Sequence, residues 1–222
     1  VHINDADGNL AKIPEGVSDH EAAYVADMLS TGFTGAERAD IPMGGTVAVF
    51  AQGPVGLMAT KGAELQGAGR IIAVETVPKR KELAREYGAT DVVDFGEVDA
   101  AAEIMELTDG EGVDVAIEAL GADETFQDCI KVTKPGGTVS NVGYHGDGEF
   151  RHIPRAEWGV GMSEIDIVND LCPGGRLRIQ RLLRLLDQGK VDPTKMTTHE
   201  FEFDDIQEAF EMMETKEDGM IK

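Results

Sequence analysis

Apolar residues fall along this chain in two alternating patterns. Short runs of about five apolar, often β-branched residues stand between longer stretches in which apolar side chains recur every three or four positions. The short runs fit strands buried on both faces, and the longer stretches fit helices lying against a sheet. Strands are predicted at Thr46–Phe50, Arg70–Val74, 91–95, 113–117 and 138–142, with a sixth at 165–169. Helices are predicted between them at 57–66, 79–87, 98–108 and Asp123–Val132. Pro78 suits a first helical turn, and Gly88 suits a left-handed cap at the end of that helix. Ser18 and Glu21 have the spacing of a capping box ahead of a helical stretch reaching about Arg38, with a break expected near Gly32. Beyond the sixth run, a helix is predicted at 176–188, an alternating strand at 197–203 and a last helix at 204–213. Strands and helices that alternate in this way predict an α/β fold: a Rossmann-type, doubly wound parallel sheet with helices on both faces.

One segment carries chemistry as well as pattern. The run Thr46–Phe50 leads into Ala51-Gln-Gly53-Pro-Val-Gly56, a helix follows, and the next run stops at Glu75, 19 residues beyond Gly56. A dinucleotide-binding unit has this layout. The turn brings backbone N–H groups up to a pyrophosphate that no side chain blocks, and the helix N-terminus adds partial positive charge. A carboxylate at the end of the second strand can accept hydrogen bonds from ribose hydroxyls. The first position of the glycine triplet is Ala51, so the motif is imperfect. The plain alternative is a βαβ unit whose glycines only allow close packing.

Composition narrows the partners. The 42 acids against 20 bases give a net charge of -22, which opposes binding to nucleic acid. The acids are spread along the chain instead of forming a tail, and apolar patterning survives among them. Such a surface is similar to that of proteins from salt-loving organisms; an ordinary acidic cytoplasmic protein is the alternative. No apolar run approaches the ~20 residues of a membrane span. The chain opens without a basic, then apolar, leader and without Met, so it is expected to start inside a longer polypeptide. Cys129 and Cys172 match no metal or redox spacing, and Cys129 is expected to be a small buried residue.

Several segments together resemble one family. These are Asp27-Met-Leu-Ser-Thr-Gly-Phe-Thr-Gly-Ala-Glu, the 51–56 turn, Gly67-Ala-Gly-Arg-Ile-Ile, Tyr87-Gly-Ala-Thr-Asp, Val132-Thr-Lys-Pro-Gly-Gly, Asn141-Val-Gly-Tyr-His-Gly and Leu171-Cys-Pro-Gly-Gly-Arg. In order and spacing they are similar to the zinc-dependent medium-chain alcohol dehydrogenases, and most of all to the microbial secondary-alcohol, isopropanol-type branch. The resemblance implies a GroES-like catalytic domain followed by a nucleotide-binding domain. Residues 1–26 would end the first and 27–170 would form the second. Residues 171–222 would return toward the first.

The resemblance also assigns roles. Asp27 stands where the family places its third zinc ligand; the Cys and His ligands and the proton relay belong to a part of the family pattern not found in these 222 residues. Thr31 would serve the nicotinamide side. Gly53, Pro54, Val55 and Gly56 would wrap the pyrophosphate, with Glu75 and Thr76 at the adenosine ribose. Ala119 and Leu120 would border the adenosine–ribose face, and Val142, Gly143 and Tyr144 the nicotinamide ribose. Leu171 would line the substrate pocket and Met162 would reach a neighbouring subunit, with plain core packing as the other reading of both.

The implied reaction is hydride transfer between an alcohol or ketone and a nicotinamide, with zinc as Lewis acid in the intact enzyme. One ligand does not hold zinc, and on a single helix His20 lies roughly 10 Å of rise from Asp27. No zinc is therefore expected at a complete catalytic site within this chain. Glu75 favours NAD, because a carboxylate pairs with two hydroxyls and repels a 2′-phosphate; NADP stays the alternative through Lys79 and Arg80. A sugar or polyol dehydrogenase of the same superfamily and a non-catalytic dinucleotide-binding module remain rival readings. A dimer or tetramer is expected, in part through edge pairing around 138–144.

Overall fold

A computed structural model describes residues 2–146, 148–215 and 219–222. The chain begins with two short helices, α1 (Ala6–Asn9) and α2 (Asp19–Ala23). Ser18 caps α2 through a reciprocal capping box with Glu21, as the spacing predicts. A wider π-turn, Val25–Leu29, then leads without a gap into α3 (Ser30–Arg38). The break expected near Gly32 is not there. Gly32 serves contact between helices instead: a Cβ on it would stand 2.5 Å from Met58 Cβ and from the Val55 carbonyl oxygen. The irregularity lies earlier, where the Leu29 N–H reaches the Tyr24 carbonyl at 3.1 Å.

The sheet follows. Its strands are β1 (Thr46–Phe50), β2 (Arg70–Val74), β3 (Asp91–Val93), β4 (Val113–Glu118), β5 (Thr133–Asn141) and β6 (Asp166–Asn169). The helices between them are α4 (Pro54–Leu65), α5 (Pro78–Glu86), α6 (Ala100–Leu107) and α7 (Asp123–Val132). All five strand pairs are parallel, and the order across the sheet is β3-β2-β1-β4-β5-β6. The predicted doubly wound sheet is therefore present. Alternate residues of β1 feed two cores. Val47 and Val49 join Leu57, Met58 and Phe33 on one face, while Ala48 and Phe50 join Ile104, Phe126 and Ile130 on the other.

After β6 come α8 (Arg176–Asp187) and α9 (Ile206–Thr215). Two expectations fail in this part of the chain. The alternating stretch 197–203 is not a strand: the Thr197 N–H closes a turn on the Thr194 carbonyl, the Thr198 and His199 N–H groups both reach the Lys222 carbonyl, and no ladder forms among the described residues. Edge pairing around 138–144 is also excluded as stated, because β5 is flanked by β4 and β6; the uncovered edges belong to β3 and β6. Cys129 is buried as expected, and burial and nearby carboxylates push its thiol well above the ordinary range, which makes it inert. No helix among the described residues is long and apolar enough to cross a membrane.

Candidate functional site

Strand order reverses between β1 and β4, and in open sheets of this kind a crevice forms at that point, beyond the C-terminal ends of the strands. The 51–56 turn sits there. Gly53 is the N-cap of α4 and Pro54 its first residue, so the first-turn N–H groups of Val55 and Gly56 have no carbonyl within the helix to bond. Gly56 cannot be replaced without moving backbone, since a Cβ would stand 1.9 Å from the Ala51 carbonyl oxygen. Gly53 is different. Nothing lies within 4 Å of where its Cβ would be, so a side chain there would project over the helix N-terminus without disturbing the fold. Ala51 occupies the first glycine position with φ at 71°, a left-handed conformation that a β-carbon disfavours.

Gln52, which the motif leaves unspecified, is fully buried and ties the turn down. Its Nε2 donates to the Val49 carbonyl at 3.1 Å, and its Oε1 accepts from Thr60 Oγ1 at 2.9 Å. Its backbone N–H donates to Glu75 Oε2 at 3.1 Å. Glu75 is itself buried and also accepts the N–H groups of Thr76 and Val77, at 2.9 and 3.0 Å. Three of about four acceptor positions on this carboxylate are thus occupied by backbone. Arg80 Nη1 stands 3.7 Å from Glu75 Oε2. Next to this rim, Lys81 and then Thr76 hold the Asp94 carboxyl at about 2, well below the usual range.

Between the ends of β1, β2 and β4 opens an apolar slot of about 290 Å³, lined by Phe50, Ala51, Val74, Phe95 and Leu120 among others. Sequence reasoning placed Phe95 at the end of a strand predicted over 91–95 and gave it no role in the site, whereas β3 ends at Val93 and Phe95 lies just past it, in the slot lining. A larger groove of about 420 Å³, between Phe33, Leu65 and Leu185, lies away from the turn and has no polar centre of comparable burial.

The other sequence-predicted residues take separate places. Ala119 and Leu120 follow β4, and Val142, Gly143 and Tyr144 follow β5, so both groups sit at the C-terminal end of neighbouring strands. Val142 is buried, whereas Leu120 and Tyr144 are exposed. Leu171 and Met162 are 70% and 79% exposed, which excludes core packing for both. Thr31 is buried and donates from Oγ1 to Asp27 Oδ1 at 3.1 Å. Asp27 lies in the π-turn. His20 points elsewhere, its Nε2 being 2.9 Å from Thr197 Oγ1.

The residues present do not fit a zinc ion. No group of three or more His, Cys, Asp or Glu among the described residues could hold a metal. Asp27 supplies one ligand type where about three are needed. A dinucleotide is a different matter. The Gly56 cradle, the open N-terminus of α4 and the buried acid beyond β2 fit its pyrophosphate and ribose.

Comparison with known proteins agrees with this geometry. The family model for zinc-binding dehydrogenases matches residues 54–188. An NADP-dependent isopropanol dehydrogenase of Thermoanaerobacter brockii is 50% identical over all 222 residues, which span 63% of that protein. One of the same name from Clostridium beijerinckii is 46% identical over the same span and the same share of its length. Among solved structures, an alcohol dehydrogenase from Thermus sp. ATN1 superposes with a TM-score of 0.86 at 28% identity, covering 97% of this chain and 61% of that one. The chain thus spans less than two thirds of the proteins it matches.

Proposed function

The chain belongs to the zinc-binding dehydrogenase family, and from that premise we propose that it is the cofactor-binding part of an NAD(P)-dependent oxidoreductase interconverting secondary alcohols and ketones. The observation that carries the reading is the 51–56 turn at the reversal of strand order, with a buried acid at the end of the adjoining strand. Residues 1–26, 27–170 and 171–222 are assigned to the end of a catalytic domain, the dinucleotide domain and the return toward the former.

The bound nicotinamide would supply the hydride chemistry, and the chain supplies binding and orientation. The Val55 and Gly56 N–H groups, aided by the α4 terminus, meet the pyrophosphate. The slot beside Phe95 accepts the flat adenine, with Leu120 in its wall, and Ala119 borders the adenosine ribose next to it. Glu75 has about one acceptor position left for a ribose hydroxyl, and Thr76 stands beside it. Val142, Gly143 and Tyr144 border the nicotinamide ribose, Thr31 the nicotinamide and Leu171 the substrate. Asp27 is assigned as a zinc ligand of the intact enzyme. No step is assigned to a metal here, because one ligand does not hold one.

Glu75 favours NAD, although the most similar relatives described above are named NADP-dependent. A negative charge at the ribose repels a 2′-phosphate by an amount that burial enlarges. A dimer or tetramer built on the open β6 edge fits the sheet, and light scattering checks it: a strict monomer at every salt concentration contradicts it. The acidic surface is read as an adaptation to concentrated salt in a cytoplasm. On that reading the unfolding midpoint rises from low to molar KCl, and a midpoint that falls contradicts it.

The direct test is calorimetric titration of the chain with NAD and NADP. One site per chain is expected, with NAD tighter, and Gly56→Ala is expected to weaken both cofactors by about 100-fold or more through the displaced turn. Absence of binding by either cofactor overturns the reading.

A further inference from the structure

At the end of β4 lies a carboxylate to which the motif gives no role. Glu118 is completely buried. Its Oε1 accepts the Leu120 N–H at 3.0 Å, the Gly121 N–H at 2.9 Å and the Thr125 hydroxyl at 2.7 Å. Oε2 also lies 3.0 Å from the Gly121 nitrogen. The backbone carbonyl of Glu118 faces the other way and accepts the Val142 and Gly143 N–H groups at 2.9 and 3.1 Å. One residue therefore grips the loop after β4 with its side chain and the loop after β5 with its backbone.

His145 closes the arrangement. Its Nε2 is 2.8 Å from Asn141 Oδ1 and 3.5 Å from Glu118 Oε2. Because the amide oxygen can only accept, Nε2 carries the proton and donates it to Asn141, with the Glu118 carboxylate standing beside it as an electrostatic neighbour. The ring packs edge-on to Phe126 with centroids 5.9 Å apart. Asn141 is the register partner of Glu118 across the two strands, so the sheet itself brings the three side chains together. The loops are pressed close. A Cβ on Gly143 would stand 2.0 Å from Glu118 Oε2, and one on Gly121 would stand 2.2 Å from the Tyr144 carbonyl oxygen.

We infer that Glu118 and His145 form a latch that fixes the spacing between the β4 and β5 loops, and so are positioning residues for the dinucleotide. The inference rests on the cofactor reading above, in which one loop borders the adenosine side and the other the nicotinamide side. A buried acid is costly, and an apolar pair of similar volume would hold the two strands as well. What an apolar pair does not supply is a defined set of acceptors for the loop N–H groups. With the latch in place, the two halves of the cofactor meet walls set at one separation. Without it the loops part, and a ligand that touches only one wall is unaffected.

The experiment compares the wild type with His145→Phe and His145→Gln, using NAD and ADP as probes, after thermal melts show folded protein. His145→Phe keeps a ring against Phe126 but loses the donor; His145→Gln restores a donor near the position of Nε2. Expected is a loss of NAD affinity of about fivefold in His145→Phe, the worth of one ordinary hydrogen bond, with ADP changed by less than about twofold. His145→Gln is expected to recover most of the loss. Unchanged NAD binding by both variants overturns the latch, and so does an equal loss for NAD and ADP, which marks a merely structural role. A wild-type chain that binds neither probe overturns the cofactor reading itself and the latch with it.

Discussion

Two buried glutamates flank the glycine turn, and they are held in different ways. Glu75, beyond β2, is held by backbone N–H groups from two turns, with the permanent cation Arg80 at 3.7 Å. Glu118, the last residue of β4, is held by two N–H groups and a hydroxyl, and the side chain that faces it at 3.5 Å is an imidazole rather than a guanidinium. The first carboxylate belongs to one continuous rim, since its ligands lie within the β1 and β2 turns. The second holds only the β4 loop with its own oxygens, and its residue reaches the β5 loop through the backbone carbonyl. The β2 side therefore reads as a rim that discriminates, and the β4–β5 side as a clamp that fixes separation. Both avoid a stranded buried charge, which would cost several kcal/mol.

The largest effect that separates the two sides comes from removing the carboxylates. Glu118→Leu leaves loop N–H groups without their acceptor and is expected to cost about 3 kcal/mol, measured by urea unfolding. Glu75→Gly is expected to cost somewhat less, about 2 kcal/mol, because part of its rim is near solvent. If Glu75→Gly proves the more damaging, the assignment of rim and clamp is reversed.

Cofactor choice sharpens the comparison next. Glu75→Gly is expected to move the NAD to NADP affinity ratio toward NADP by about tenfold or more, as removing one close charge allows. Substitutions at His145 are expected to leave that ratio alone. A ratio that does not move shows that Glu75 is not the selector.

Acid gives a smaller test of the β2 side. The folded Asp94 carboxyl, held at about 2 by Lys81 and Thr76, lies below its unfolded value near 4. Its contribution is thus complete above about pH 4 and fades as pH falls toward 2. Lys81→Met is expected to flatten the fall in the unfolding midpoint between pH 4 and 2.5; an unchanged slope removes Asp94 from the rim. The smallest expected effect is at Ala51, whose left-handed backbone costs roughly 1–2 kcal/mol. Ala51→Gly is expected to stabilise by a net ~0.5–1 kcal/mol, after the entropy glycine adds to the unfolded chain, read as a rise in the unfolding midpoint.

Much of this layout was legible beforehand, and the reason is local. The strands β1, β2 and β4 are short apolar runs between turn residues, so period and punctuation give their ends to within a residue. The glycine turn and Glu75 lie within one βαβ unit, which sequence spacing describes well. Glu118 and His145 are 27 positions apart and meet only through the β4–β5 register, which pairs Glu118 with Asn141. No local pattern announces such a pair. The stretch 197–203 failed for a related reason: alternation proposes a strand, but a strand also needs a neighbour with which to exchange bonds. At Gly32 the glycine was read as a helix breaker, whereas its small size lets α3 and α4 touch.

The account stands on a dinucleotide lying across the 51–56 turn. Its most direct measurement is a crystal structure of the chain soaked with NAD. The account expects pyrophosphate oxygens within hydrogen-bond distance of the Val55 and Gly56 N–H groups, with the adenine in the slot beside Phe95. Density for the cofactor in the groove between Phe33, Leu65 and Leu185, with the turn left empty, would contradict it.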